Sequence, residues 1–456
     1  MSIRREEDSL GAVMVDREAY YGPQTQRAMD NFPISSIRFP YPCILAIVMV
    51  KRLAAKAHLE LGLLDPKIAG AIMQAAREVE SGSLADQFVV DVFQTGSGTS
   101  SHMNVNEVLA GRANEILTGV RGGKHPVHPN DHVNMGQSSN DVVPTATHMA
   151  CLKNLDNQLI PGLKILHTSL ERQAKAFYPV QKTGRTHFMD ALPVKLGQEF
   201  SGYARQVELS MERILGVYSR LGELALGGSA VGTGVNVHPD MARRVITQLA
   251  EETGLPFTIA KNRFEAMGSR DALVETSGNL KTIAVSLMKI ASDIRLLSSG
   301  PRCGIGEIRL PALQPGSSIM PGKINPVIPE VVLQVGAHVI GNDAAVSVCG
   351  HMGSLELNTM IPVMAHNVLE SIKLLATASR VFGEKCIDGI EANTARCEAN
   401  LDKSIALATF LAPDIGYDKA ALLAKEAFET GKTIRELALE KGLLSPKEWK
   451  DLLEGL

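Results

Sequence analysis

DALVETSGNLKTIAVSLMKIASDIRLLS, residues 271–298, is the stretch that decides the fold. Leu273, Leu280, Ile283, Leu287, Ile290, Ile294 and Leu297 recur after seven residues and then at alternating steps of three and four, the period of one helix face. A helix of that length runs roughly 40 Å at about 1.5 Å per residue. Small or apolar residues also fall off the stripe, at Thr282, Ala284, Val285, Met288 and Ala291. A helix that is apolar around much of its girth needs cover on several sides, so the pattern predicts a long bundle and association between subunits.

Working outward, a second long helical pattern passes through Leu196, Phe200, Tyr203, Val207, Ile214, Leu221 and Leu224. A third follows Asp141, and two more follow Pro326 and Pro362. Residues 1–136 read as a loop-rich helical domain, with helices over Ile44–Leu61 and Pro66–Glu80. Residues 137–388 read as the central long-helix domain, and 389–456 as a small C-terminal helical domain. The expected fold class is all-α. Composition agrees, because 45% of the chain is hydrophobic while only 4% is aromatic, which favours cores of Ala, Leu, Ile, Val and Met on helices.

Lys and Arg number 46 against 49 Asp and Glu, so the net charge of -3 gives no reason to expect nucleic-acid binding or an anionic membrane partner. No run of about 18 uninterrupted apolar residues occurs, and MSIRREEDSLG has no signal-like apolar stretch, so no membrane span is expected and the cytoplasm is the expected location. Cys43, Cys151, Cys303, Cys349, Cys386 and Cys397 are scattered, without the spacing of a zinc site, and read as free thiols of a reducing compartment.

The chemistry lies in the loops. GSSIMPGKINPVIPE, residues 316–330, is held out of regular structure by Pro315, Pro321, Pro326 and Pro329, and offers Ser317, Ser318, Lys323, Asn325 and Glu330. Taken alone, it is an ordinary solvated turn. TGSGTSSHMNVN, residues 95–106, can aim backbone N–H groups and the hydroxyls of Ser97 and Thr99 at an anion. QSSND, residues 137–141, opens a helical run in which Pro144 suits a first turn, and Ser138, Ser139 and Asn140 are all good N-caps. The same helix end can receive a carboxylate, since free N–H groups and the helix dipole favour negative charge there. GRTHFMD, residues 184–190, precedes a long helix and contributes Thr186 and His187, a proton carrier that Glu330 can polarise. GGSAVGTGVN, residues 227–236, reads as a packing turn, not a phosphate loop.

These segments, in this order, resemble the fumarase/aspartase superfamily, whose signature loop reads close to GSSxMPxKxN and stands here at Gly316 to Asn325. The likeness runs from EAYYGPQTQRA at Glu18 to IGYDKAA at Ile415 and covers almost the whole chain. It implies a three-domain helical protomer, a homotetramer whose central helices form one bundle, and active sites assembled from three chains. It implies no cofactor and no metal.

By that resemblance Ser317 is the carbon base, and Lys323 and Asn325 stabilise an aci-carboxylate intermediate. Ser97, Thr99, Ser138, Ser139, Asn140 and Thr186 hold the dicarboxylate, and His187, with Glu330 setting its charge, handles water. His128, Asn130 and Asp131 resemble a second dicarboxylate site, although a turn held by Pro129 and Asx hydrogen bonds explains HPND equally well. The implied reaction is reversible addition of water to fumarate, giving L-malate. GSGT, HPNDH, QSSND and ALGG favour it, whereas the PVIPE ending and VNMG at 133–136 resemble aspartate ammonia-lyases, the alternative activity. A non-catalytic structural protein on the same scaffold is the remote alternative, and the joint presence of Ser317, Lys323, Asn325, His187 and Glu330 argues against it.

Overall fold

In the computed structural model, which describes residues 3–454, the stretch quoted above is a helix over Asp271–Leu297. Its predicted stripe is its buried face: Leu273, Leu280, Ile283, Ile290 and Ile294 are fully enclosed, and Leu287 and Leu297 nearly so. Val285, off the stripe, is 53% exposed. The other long helices are Leu196–Gly216, Val327–His351 and Ile361–Lys385. The two shorter predicted helices occur as Tyr41–Glu60 and Pro66–Glu80. Among the described residues the only sheets are five of two strands each, so the all-α expectation holds.

The chain divides into two compact units. The first comprises residues 1–160, 212–282 and 337–375; the second comprises 161–211, 283–336 and 376–456. The long helices Asp271–Leu297, Val327–His351 and Ile361–Lys385 supply residues to both. Within the second unit, Leu401, Leu407, Leu411, Leu423, Ile434, Leu437 and Trp449 close an apolar cluster of their own near the C-terminus.

Val327–His351 is long and apolar enough to cross a membrane by length and composition, a feature that a search for uninterrupted apolar runs passes over because polar residues punctuate it. Those residues are engaged in a polar network. Asn342 donates to Ser371 Oγ and Glu370 Oε2 at 3.1 Å each, His338 Nε2 lies 2.9 Å from Glu370, and Asp343 accepts from Ser277 at 2.8 Å and Lys281 at 2.5 Å. Charged groups paired in this way mark a helix that packs against protein, because lipid supplies no partners.

Three local expectations are corrected. The pattern from Leu196 to Leu224 is not one helix: the helix ends at Gly216, Leu221 lies in the short helix Tyr218–Gly222, and Leu224 lies in the two-residue strand Glu223–Leu224. Pro144 does not sit in a first turn: the helix begins at Ser139, so Pro144 lies in the second turn, where its missing N–H leaves the Asn140 carbonyl without an intrahelical donor. His187 does not sit near a helix start. Gln181–Thr186 and Met189–Lys195 form an antiparallel hairpin, and His187 and Phe188 are its two-residue tip. Both tip residues have positive φ, 56° and 61°, the backbone of a tight hairpin turn that usually recruits Asn or Gly.

Candidate active site

In the first unit two helices begin side by side, Thr99–Thr118 and Ser139–Asn154. Their first residues touch: Thr99 Oγ1 lies 2.6 Å from Ser139 Oγ and 2.7 Å from Ser97 Oγ, a chain of three hydroxyls across two helix N-termini. The approach depends on two glycines. A Cβ at Gly96 would fall 1.8 Å from the Thr359 carbonyl oxygen, and one at Gly98, where φ is +76°, would fall 2.8 Å from Val143. Free N–H groups and aligned peptide dipoles at two helix starts make a place for negative charge.

Ser138 is the N-cap of the second helix, as its type predicts. Its Oγ accepts from Asn140 N at 3.2 Å, and its own N–H donates to Asp141 Oδ1 at 2.9 Å. The Asn140 amide donates to the Ala230 carbonyl at 2.9 Å. Asp141 is fully buried, and its Oδ2 accepts from Gly227 N and Ser229 N at 3.0 Å each. Burial pushes the Asp141 carboxyl up to about 6, against the pull of those N–H groups and of Lys51. The turn at 227–236, read from sequence as packing alone, is therefore tied to the 138–141 segment. Asp141 is the residue that sequence reasoning passed over, and its signal was the S-x-x-D capping pattern within QSSND.

The HPND segment is a turn of π-helix over Pro129–Val133. Its cap is His128 and not an Asx side chain: Nδ1 accepts from Asn130 N and Asp131 N at 3.1 Å each, while His132 Nδ1 accepts from His128 N at 2.9 Å. Burial holds His128 below the usual histidine range, in keeping with a ring nitrogen that accepts. Asp131 is exposed, and among the described residues the Asn130 amide reaches only the Met103 sulfur, at 3.9 Å.

The second unit carries the remaining residues. Ser317 Oγ accepts from Ile319 N at 3.2 Å and from Met320 N at 3.0 Å. Two donors aimed at one hydroxyl oxygen favour its ionised form. Gly316 N donates to the Lys323 carbonyl and Asn325 Nδ2 to the Gly316 carbonyl, both at 2.7 Å, so Asn325 closes the loop with one end of its amide. Ser318 and Lys323 are exposed, and the Lys323 ammonium has no ion-pair partner among the described residues of the chain. Glu330 lies in the first turn of Val327–His351, and among the described residues no hydrogen bond joins it to the exposed ring of His187.

The His187 hairpin stands on a buried ion network. Glu307, 0% exposed, receives Arg185 through both oxygens at 2.7 and 2.9 Å and Asn400 at 3.1 Å; Lys182 Nζ lies 3.2 Å away and also binds Glu199 at 2.8 Å. Burial acts to raise the Glu307 carboxyl, but Arg185 and Lys182 outweigh it and hold it below the ordinary range. Among the described residues no three His, Cys, Asp or Glu side chains are grouped as a metal would require.

The helical scaffold is shared with a class of lyases. The family model for lyases matches residues 11–341, and the one for the fumarase C C-terminus matches residues 407–454. The class II fumarate hydratase of Halobacterium salinarum is 55% identical over 451 residues, 99% of this chain and 96% of that protein. The human mitochondrial fumarate hydratase is 51% identical over 460 residues, 99% of this chain and 90% of that protein. Among solved structures, class II fumarase from Schistosoma mansoni superposes with a TM-score of 0.96 at 39% identity, covering 99% of this chain and 98% of that one. The cobalt-bound fumarate lyase:delta crystallin structure from Brucella melitensis also gives 0.96, at 46% identity and the same coverage. The chain belongs to this lyase family and, within it, to the class II fumarate hydratases.

Proposed function

We propose that this protein catalyses the reversible hydration of fumarate to L-malate, using side chains and backbone donors alone. The observation that carries the reading is the contact of Thr99 and Ser139 at 2.6 Å, which brings two helix N-termini together, an arrangement suited to holding a carboxylate. In the malate-to-fumarate direction, Ser317 as alkoxide removes the proton on the carbon beside a carboxylate, and the electron pair moves into that carboxylate. The resulting doubly charged aci-carboxylate is stabilised by Lys323 and Asn325. The hydroxyl then leaves from the neighbouring carbon as His187 protonates it, giving water and the double bond; in hydration His187 takes the proton from water instead. Glu330 sets the charge of His187. Ser97, Thr99, Ser138, Ser139, Asn140 and Thr186 hold the dicarboxylate, and His128, Asn130 and Asp131 form a second, accessory dicarboxylate site.

The working form in this reading is a homotetramer with sites assembled from three chains, and we assign its protomer the three domains 1–136, 137–388 and 389–456, a division along the sequence that differs from the two compact units. Support for association comes from the exposed apolar positions on two long helices: Val285 at 53%, Val331 at 42% and Val348 at 60%. Apolar area of this kind calls for protein cover. We place the protein in the cytoplasm, in keeping with six free cysteines, of which only Cys303 is exposed.

The deciding experiment supplies purified protein with malate and, separately, with aspartate, and follows ultraviolet absorbance of the new double bond. Product from malate alone supports the reading. Product from aspartate alone makes the chain an ammonia-lyase, and product from neither revives a structural role. Activity unchanged by a chelator in the same cuvette is the expected result for chemistry that needs no metal.

A further inference from the structure

Lys51 lies in the apolar helix Tyr41–Glu60 and is 0% exposed, yet among the described residues no carboxylate lies within ion-pair distance of it. Its Nζ is 2.6 Å from His102 Nε2 and 2.8 Å from Asn134 Oδ1. Burial there pushes the Lys51 amine well below the usual lysine range, because a charged group loses its hydration and has only neutral groups within hydrogen-bond reach, and the field of Asp141 offsets this only in part. The two partners are placed tellingly. His102 stands one helical turn after Thr99 on the helix Thr99–Thr118, buried to 1% exposure. Asn134 stands just before QSSND, and its Nδ2 donates to the Gln137 carbonyl at 3.1 Å, immediately ahead of Ser138. One side chain thus bridges the two segments whose first residues meet at the hydroxyl chain.

From this geometry we infer that Lys51 is a positioning residue for substrate binding: through His102 and Asn134 it sets Thr99 against Ser138–Asn140 and so holds the dicarboxylate cradle in its binding shape. Burial and then Lys51 hold the His102 ring well below the usual histidine range, so the two groups meet as a hydrogen-bonded pair and not as two like charges. Asp141 supplies the opposing charge and ties the same segment to Gly227 and Ser229. The inference rests on the reading that Thr99 and Ser138–Asn140 bind the substrate carboxylates.

The test compares four variants of the full chain, each checked for folding by circular dichroism. Lys51→Met should raise KM for both fumarate and malate about tenfold, and the inhibition constant of succinate in parallel, with kcat within about threefold, as the loss of buried hydrogen bonds implies. Lys51→Arg, which keeps charge and donors, should return KM to within about threefold of the parent. Asn134→Ala should raise KM about fivefold, and it decides the matter if Lys51→Met does not fold. Ser139→Ala tests the binding reading itself. If Ser139→Ala raises KM while folded Lys51→Met and Asn134→Ala leave it unchanged, Lys51 only fills space and the inference is overturned. If none of the three moves KM, the binding assignment fails and the inference falls with it. A kcat loss at constant KM in the Lys51 and Asn134 variants also rejects it.

Discussion

The hydroxyl cluster at Ser97–Asn140 and the loop at Gly316–Glu330 are both polar, glycine-bearing and close to a helix start, yet they are built in opposite ways. In the first, Ser97 is buried, Thr99 and Ser139 are bonded to each other, and Asp141 is sealed beneath with both oxygens occupied. In the second, Ile319 is 83% exposed, Met320 48%, and the Lys323 ammonium is open to solvent. A rigid cluster suits a task that is the same at every stage of the reaction, the holding of a dicarboxylate. An exposed loop whose hydrogen bonds, such as Gly316–Lys323 and Asn325–Gly316, stay within its own length suits a base that must meet the substrate at one stage and release it at another. The loop should therefore govern turnover, and the cluster should govern affinity.

The largest effect should come from the loop. Ser317→Ala is expected to lower kcat about 1,000-fold with KM within about threefold, measured by steady-state absorbance; near-normal turnover would remove Ser317 from the mechanism. Next, His187→Asn should lower kcat about 100-fold with the thermal midpoint nearly unchanged, since the ring is exposed and contributes little to packing. Thr99→Ala should do the reverse, raising KM about tenfold with kcat within about threefold. A kcat collapse in Thr99→Ala would break the contrast between the two regions.

The smallest effect concerns the scaffold under the cluster. His58 is 2% exposed, and burial, then the charge of His238, push it down from 6.5 to about 4. Between those values the unfolded chain binds a proton that the folded chain refuses. The stability from neutral His58 is therefore complete above pH 6.5 and is lost as pH falls towards about 4. The expected loss is about 1–3 kcal/mol across that window, seen as a falling thermal midpoint that His58→Leu flattens. Asp141, raised to about 6, acts with the opposite sign over part of the same range, so the His58 variant must be compared with the parent at each pH.

Much of this was legible in the residues, and the exceptions have physical causes. The helix at Asp271–Leu297 was readable because a stripe that repeats over 27 residues has no competing period. Ser138 was readable as a cap because its chemistry is local. The His187 hairpin was not: its strands have six and seven residues, and its turn uses His and Phe where Asn or Gly would have announced it. Lys51 was least legible of all, since a lysine on a helix reads as solvent-facing, and nothing near it in sequence hints at His102 or Asn134.

What the amino-acid order determined by itself is whatever depends on neighbours within a turn or two: the buried face of the long helix at 271–297, the Ser138 cap, the loop stiffened by Pro315 to Pro329, and the motif order that marks the family. Only tertiary structure decided that Thr99 meets Ser139 across 40 positions, that Glu307 underpins a hairpin 122 residues upstream, and that a buried lysine side chain joins residues 51, 102 and 134. Hydrogen bonds and ion pairs act over a few ångströms of space and carry no trace of chain separation, so no local pattern can encode which distant partner completes them.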